Sequence, residues 1–146
     1  MLKGITYLGY VITREGVKPD PKKVQIIMDL GRPATNTEAR ALIGMVQYYR
    51  YMWPRLSHIL APMAEAAIGP KGRQILCNDA LESYFKELNC MVSAEKLLSY
   101  PYWKLPFTVH TGAYDKHLGS VDGQNHKHIA FLSIRLRNPH RNYTTT

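Results

Sequence analysis

Ile5, Tyr7, Leu8, Tyr10, Val11 and Ile12 give residues 4 to 13 the alternation of a β-strand, rich in β-branched and aromatic side chains. Arg14-Glu15-Gly16 supplies turn chemistry before Val17 and Lys18, so the segment predicts a β-hairpin. Within it, Leu8-Gly9-Tyr10 fits a strand bulged at Gly9. Asp20 can cap a short helix whose first position, Pro21, needs no N–H donor. Val24, Ile27 and Met28 form its apolar face, which leaves Lys22, Lys23 and Gln25 for solvent or phosphate. Gly31 and Pro33 end it.

The dominant pattern lies between residues 38 and 62. Leu42, Val46, Tyr49 and Trp53 recur at steps of four, three and four, the stripe of a helix packed on a core. Thr35 or Thr37 can cap it, and Pro54 stops or kinks it. A continuation from Ser57 to Ala67 turns Ile59, Leu60 and Met63 inward. After the loop Gly69-Pro70-Lys71-Gly72-Arg73, Asn78 can cap a third helix built on Leu81, Tyr84, Phe85, Leu88, Met91 and Val92. Glu82 lies four residues before Lys86 on its surface.

From Leu97 the period shortens to two. Leu98, Tyr100, Trp103, Leu105, Phe107 and Val109 predict strand and turn, Leu118 to Val121 a second strand, and Ile129 to Leu132 a third. Asp122-Gly123 opens a loop that runs to Lys127, and Asn138-Pro139 ends the last strand. A three-stranded antiparallel meander of this kind has a face and edges left to pair with a partner or with a second copy. The chain is therefore α+β, with a hairpin over 1–18, a helical unit over 19–95 and an incomplete sheet over 96–146.

Arg40, Gly44 and Tyr48 fall on a second line of the organising helix. A glycine in mid-helix costs about 1 kcal/mol against alanine, so Gly44 needs a reason. Close packing of another helix is the commoner one, and close approach of a ligand to the backbone is the other. A cation, a bare backbone patch and a polar-tipped ring, with Gln47 and Arg50 nearby, suit a nucleic-acid groove better than an apolar neighbour.

Charge agrees with that picture. Among 146 residues, 19 Lys and Arg against 11 Asp and Glu give a net charge of +8, which serves solubility or, in the sharper reading, a polyanion partner. Cys77 and Cys90 have no zinc spacing; buried, reduced thiols are the expectation, with a lone disulfide as the alternative. The histidines at 58, 110, 117, 126, 128 and 140 include one close pair, His126 and His128, that could share a strand face but lacks a third ligand. With no apolar leader and no run near 18 apolar residues, the chain is expected to be intracellular, in cytoplasm or nucleus.

The stretch ALIGMVQYYRYMWPRLSHILAPM resembles the reverse transcriptase thumb of gypsy-type LTR retrotransposon Pol polyproteins, where the pattern is Leu-Arg-Ser-Phe-Leu-Gly-Leu-x-Asn-Tyr-Tyr-Arg, then Pro, then Ala-Pro-Leu. YLGYVITREGVKPDPKKV resembles the hairpin before that thumb, and LLSYPYWKLPFTVHTGAYDKHLGSV with IAFLSIRLRNPHRNYTTT resembles the first strands of the attached RNase H domain. The resemblance implies a three-helix thumb-like unit followed by a truncated RNase H-like meander. It implies that Arg40, Gly44 and Tyr48 face a template–primer duplex, RNA–DNA or DNA, and that Leu8, Gly9 and Tyr10 occupy the primer-grip position. It also implies Mg²⁺ for the full enzyme, held by acidic clusters.

Those acids are missing here. No Asp-Asp turn occurs, and Thr111-Gly112-Ala113-Tyr114 stands where the family has Thr-Asp-Ala-Ser, so Gly112 replaces the first RNase H aspartate. Asp115 and Asp122 remain as weak substitutes; Asp122 is better explained by turn chemistry. Cys77, His128 and Ile134 also depart from the family pattern. A fragment without catalysis of its own, a piece of an active polymerase and RNase H in a longer polyprotein, and an interaction protein working through its exposed sheet are the three functions in view.

Overall fold

The computed structural model describes residues 4–76, 79–114 and 116–136. It contains β1 (Ile5–Tyr7), β2 (Tyr10–Ile12), β3 (Val17–Pro19), α1 (Pro21–Asp29), α2 (Asn36–Tyr48), α3 (Leu56–Ala66), α4 (Asp79–Ser93), β4 (Thr108–Ala113), β5 (His117–Gln124) and β6 (Lys127–Arg135). The strands form two antiparallel sheets, β1-β2-β3 and β4-β5-β6. The α+β class and the terminal meander are as the sequence indicates.

The N-terminal segment holds two tight reversals. Leu8 and Gly9 both take positive φ, 47° and 77°, so they form a two-residue turn between β1 and β2. This replaces the bulge expected at Gly9. Gly16 follows at the second reversal, where Thr13 N–H donates to its carbonyl at 2.9 Å. A Cβ on Gly16 would come within 2.1 Å of the Leu98 carbonyl oxygen, because Val17 and Leu98 bridge there with N–H···O bonds of 2.8 and 2.9 Å. Leu98 is thus held beside β3, and the regular strand starts only at Thr108.

The organising helix divides in two. α2 begins at a Thr35 cap, whose hydroxyl accepts from Glu38 N–H at 3.3 Å while the Glu38 carboxylate accepts from Ala34 N–H at 2.8 Å. Thr37 instead receives Gly72 N–H. α2 stops at Tyr48, and Pro54 bars any continuation into α3, because it restricts Trp53 before it and has no N–H to offer the Arg50 carbonyl. The chain turns through Tyr49 and Met52 and enters α3 from Arg55, whose φ is 53°. Four helices result where three were read, yet Leu42, Val46, Tyr49 and Trp53 are all buried, the last from the turn.

One core cluster joins Ile27, Leu42, Val46, Trp53, Leu60, Met63, Leu88 and Val92 to Leu98 and Phe131. The second sheet docks through β6: Phe131 N–H donates to the Tyr51 carbonyl at 2.9 Å, and Ser133 Oγ accepts from Ser57 N–H at 3.0 Å. β5 runs through Asp122-Gly123, with only a register irregularity in its pairing with β6 there. The reversal falls at Asn125 and His126, both at positive φ. Gln124 extends the strand because its buried amide bonds Tyr102 and the Leu105 carbonyl. All six residues of β4 are exposed, as are Trp103 and Phe107.

Cys90 is exposed rather than buried, since the buried positions Leu88 and Val92 lie two residues to either side and turn it outward. His126 sits in the turn and His128 on β6, so they share no strand face. Cys77, Asn78, Asp115, Asn138, Pro139 and His140 lie outside the described residues. No helix among the described residues is long and apolar enough to cross a membrane.

Candidate nucleic-acid interface

Four tyrosine and tryptophan rings join the first turn to the end of α2. Tyr49 Oη donates to the Gly9 carbonyl at 2.8 Å, Tyr48 Oη donates to the Leu8 carbonyl, and Tyr10 Oη donates to the Tyr48 carbonyl at 3.2 Å. The rings of Tyr10, Tyr48 and Tyr49 meet at centroid distances of 4.9 to 5.7 Å, and Tyr49 passes the contact on to Trp53 at 5.8 Å. Gly9 is required twice over. Its φ is left-handed, and a Cβ would stand 2.9 Å from Tyr49 Oη.

Beside this clamp lies an open groove of about 600 Å³, whose walls include Leu8 and Gly9 of the turn, Lys23 and Ile26 of α1, and Gly44 and Tyr48 of α2. Gly44 is exposed, and a Cβ placed on it would meet nothing within 4 Å. Among the described residues no helix packs against this glycine, so close helix packing within them does not account for it. The helix has a bare patch at the floor of a groove.

The remaining sequence-derived candidates divide. Arg40 shares the line of Gly44 and Tyr48, but its guanidinium is engaged in closing α3: Nε and Nη2 donate to the Ala67 carbonyl at 3.1 and 2.8 Å, and Nη2 also reaches the Gly69 carbonyl at 2.8 Å. It acts as a C-terminal cap on orphan carbonyls. Gln47 and Arg50 line a different cleft of about 550 Å³, between α3 and β6. Arg50 lies over the Tyr51 ring at 4.7 Å and donates to its hydroxyl. Leu8, Gly9, Gly44 and Tyr48 are brought together; Arg40, Gln47 and Arg50 are not part of that groove.

Sequence inspection placed Tyr49 in the core stripe and missed its hydroxyl, although a tyrosine on an apolar stripe signals a buried polar partner. Burial first, then the neighbouring Tyr10 and Tyr48 and the charge of Asp20, push the Tyr49 hydroxyl up to about 12. The sign follows from the shift. Below the ordinary value of 10.0 the contribution of the neutral hydroxyl is fully present, and it is lost as pH rises through about 12. Stability should therefore fall across that window, and Tyr49→Phe should flatten most of the fall. Urea denaturation at stepped alkaline pH checks this.

Gly112 lies on exposed β4, paired with Gly119. Asp122 pairs with Val109, three positions along the same ladder or roughly 10 Å away. Asp122 is therefore a strand residue and not part of a turn, and it cannot stand in for a carboxylate at position 112. The donor set does not fit a Mg²⁺ pair at this place, and no group of three or more His, Cys, Asp or Glu side chains suited to a metal occurs among the described residues.

No family model matches the chain. Individual relatives do. It is 28% identical over 153 residues to the retrovirus-related Pol polyprotein from transposon gypsy of Drosophila melanogaster, which covers 98% of this chain. It is 31% identical over 144 residues to the corresponding polyprotein from transposon 297 of the same organism. Over nearly its whole length the chain is similar to gypsy-type, retrovirus-related Pol polyproteins. It spans 15% and 13% of the length of those two Pol relatives. The fold matches that of a foamy viral protease-reverse transcriptase in complex with RNA/DNA hybrid, with a TM-score of 0.81 at 23% identity. That match covers 97% of this chain and 20% of the other, so the Pol segment shares the fold of the corresponding part of a reverse transcriptase.

Proposed function

We propose that this Pol segment binds the sugar–phosphate edge of a template–primer duplex, RNA–DNA or DNA, in the groove between the Leu8-Gly9 turn, α1 and α2. The observation that carries it is the empty space over Gly44, beside Tyr48 and Lys23 and next to a turn clamped by three tyrosine hydroxyls. A backbone patch without a side chain admits a groove edge closely, and Lys23 supplies a phosphate partner. A net charge of +8 supports non-specific attraction to a polyanion. The gypsy and foamy viral similarities support the same partner.

Catalysis does not come from this chain alone in our proposal, because Gly112 offers no metal ligand and no Asp-Asp pair is present. Within a longer Pol polyprotein the segment would serve an RNA-directed DNA polymerase and ribonuclease H as a duplex-holding part. The exposed β4 favours a second role, association with the rest of the polyprotein or with another copy, which light scattering would register.

Fluorescence anisotropy on a labelled RNA–DNA hybrid tests the groove. Affinity should fall steeply with salt, and Lys23→Glu should weaken it and flatten the log–log salt slope by about 1 or more. Lys23 is the cleaner choice because Arg40→Glu would set a carboxylate against the Ala67 and Gly69 carbonyls and disturb α3. Affinity that stays the same from low to moderate salt would sink the electrostatic part of the proposal.

A further inference from the structure

Pro101-Tyr102-Trp103-Lys104-Leu105-Pro106 leads into β4 through a tight turn, in which Leu105 N–H donates to the Tyr102 carbonyl at 2.9 Å. Trp103 and Lys104 are the two central residues of that turn. Gly, Pro, Asn, Asp and Ser dominate such positions, because they bend the chain readily and suit water. A tryptophan answers neither need. Trp103 is 81% exposed, whereas Trp53, the other tryptophan of the chain, is fully buried. The Phe107 ring stands 5.8 Å from that of Trp103, tilted by 54°, and Phe107 and Tyr102 are exposed as well.

The turn is held firmly from behind. Gln124 is buried, and its amide serves the turn alone: Oε1 accepts from Tyr102 N–H at 2.9 Å, and Nε2 donates to the Tyr102 and Leu105 carbonyls at 3.2 and 3.0 Å. Just upstream, the Tyr100 hydroxyl donates to the Thr13 carbonyl at 3.0 Å, and Ser99 N–H donates to the His128 carbonyl at 2.8 Å. Pro101 and Pro106 fix φ on either side. These anchors fix the backbone and leave the indole in water. Trp103 takes no part in the core cluster, so packing within the described residues does not account for it. An anchored turn that presents a large ring to solvent is the build of a contact site.

We propose that this turn is a stacking site for unpaired bases of a single-stranded nucleic acid. The exposed indole face accepts any base, the Phe107 ring offers a second face, and Lys104 supplies a phosphate partner beside them. Charge favours this occupant over an apolar protein segment. Lys104 shares the tip of the turn with Trp103, and an apolar partner would have to strip water from that ammonium, whereas a strand of phosphates is drawn to it and to a chain of net charge +8. Because the anchors already fix the turn, stacking costs little further ordering. The site shares no residue with the groove around Gly44, and it takes unpaired rather than paired bases.

The test uses the whole chain and a short labelled oligothymidylate. Stacking should quench the emission of exposed Trp103 saturably, with buried Trp53 as the internal reference. Trp103→Ala removes a side chain that the core does not use, so its melting temperature should match that of the parent. Its affinity for the oligonucleotide, read by anisotropy, should fall about fivefold or more, and the quenching should vanish. Trp103→Phe should recover most of the affinity, because a ring face remains. The log–log salt slope should be unchanged in Trp103→Ala and reduced by about 0.7 in Lys104→Ala, which separates stacking from charge. A DNA duplex, whose bases already stack on one another, should bind the parent and Trp103→Ala alike. Equal oligonucleotide affinity in those two chains, unchanged tryptophan emission on binding, or an equal loss of duplex affinity overturns the site. So does light scattering that shows a dimer of the parent broken by Trp103→Ala, since a second copy would then be the occupant. Failure of Lys23→Glu to affect duplex binding would count against the groove and leave this site standing.

Discussion

Gly44→Leu is expected to move stability and duplex affinity in opposite directions. In the interior of α2 the glycine is a liability, and leucine removes a propensity penalty of about 1 kcal/mol. Among the described residues a Cβ at this position has no neighbour within 4 Å, so the added side chain starts into open space. Urea denaturation should show that gain. The same side chain would fill the floor of the groove between Lys23, Ile26 and Tyr48. It would hold the edge of a duplex away from the backbone, and affinity should drop by about tenfold or more, a loss of roughly 1.4 kcal/mol. A more stable protein that binds less well is the outcome only a binding role for the bare patch produces. Undiminished affinity in a stabilised Gly44→Leu chain would remove the groove from consideration.

Trp53→Ala is expected to be the most damaging single change to the fold, at about 3–5 kcal/mol. The indole is fully buried in the core cluster, within ring contact of Tyr49, and packs from the turn between α2 and α3. Its loss would leave a cavity under the tyrosine clamp as well as removing buried area, so the Leu8-Gly9 turn should loosen along with the core. Trp53→Phe separates two effects. The indole Nε1 is buried without a hydrogen-bond partner among the described residues, a deficit that costs about 1–3 kcal/mol in such surroundings. Phenylalanine loses volume but relieves that deficit, so it should cost much less than alanine. Denaturant midpoints for the two variants check the order, and a phenylalanine variant as unstable as the alanine one would contradict it.

Local patterns identified several features that survive in three dimensions. Asp20 and Thr35 cap their helices, because a side-chain oxygen one step before a helix needs only its own neighbours to act. Leu42, Val46, Tyr49 and Trp53 are buried, as their spacing indicates. The spacing could not reveal that Trp53 reaches the core from a turn. That outcome depends on Pro54 and on the positive φ of Arg55 acting together. Composition predicts a loop that opens at Asp122-Gly123 and runs to Lys127; the reversal falls within it, at Asn125 and His126, but Gln124 finds partners in the Tyr102–Leu105 segment and carries β5 past the first two of its residues. Long-range hydrogen bonds overrode the local turn signal.

The candidate site shows the same division. The line Arg40, Gly44 and Tyr48 follows from helical periodicity alone, as does the exposure of all three. Periodicity says nothing about what lies at the far end of each side chain. Arg40 turns to the carbonyls that end α3, Gln47 and Arg50 face the cleft under β6, and Tyr48 reaches the first turn. The described residues of the site meet through pairings between segments tens of positions apart, and such pairings leave no periodic trace in a single chain.

By itself, then, the sequence determined the α+β class, most of the helices, the caps of α1 and α2, the buried stripe and the lack of an Asp-Asp pair, since these depend on neighbours within a turn or two of the chain. Only the tertiary structure decided that Gly44 lies open beside a clamped turn and that Gln124 fixes the turn presenting Trp103. Grooves and anchored turns of that kind form when distant segments pack, and the free energy that brings those segments together comes mainly from burying the core rather than from the residues that line the site.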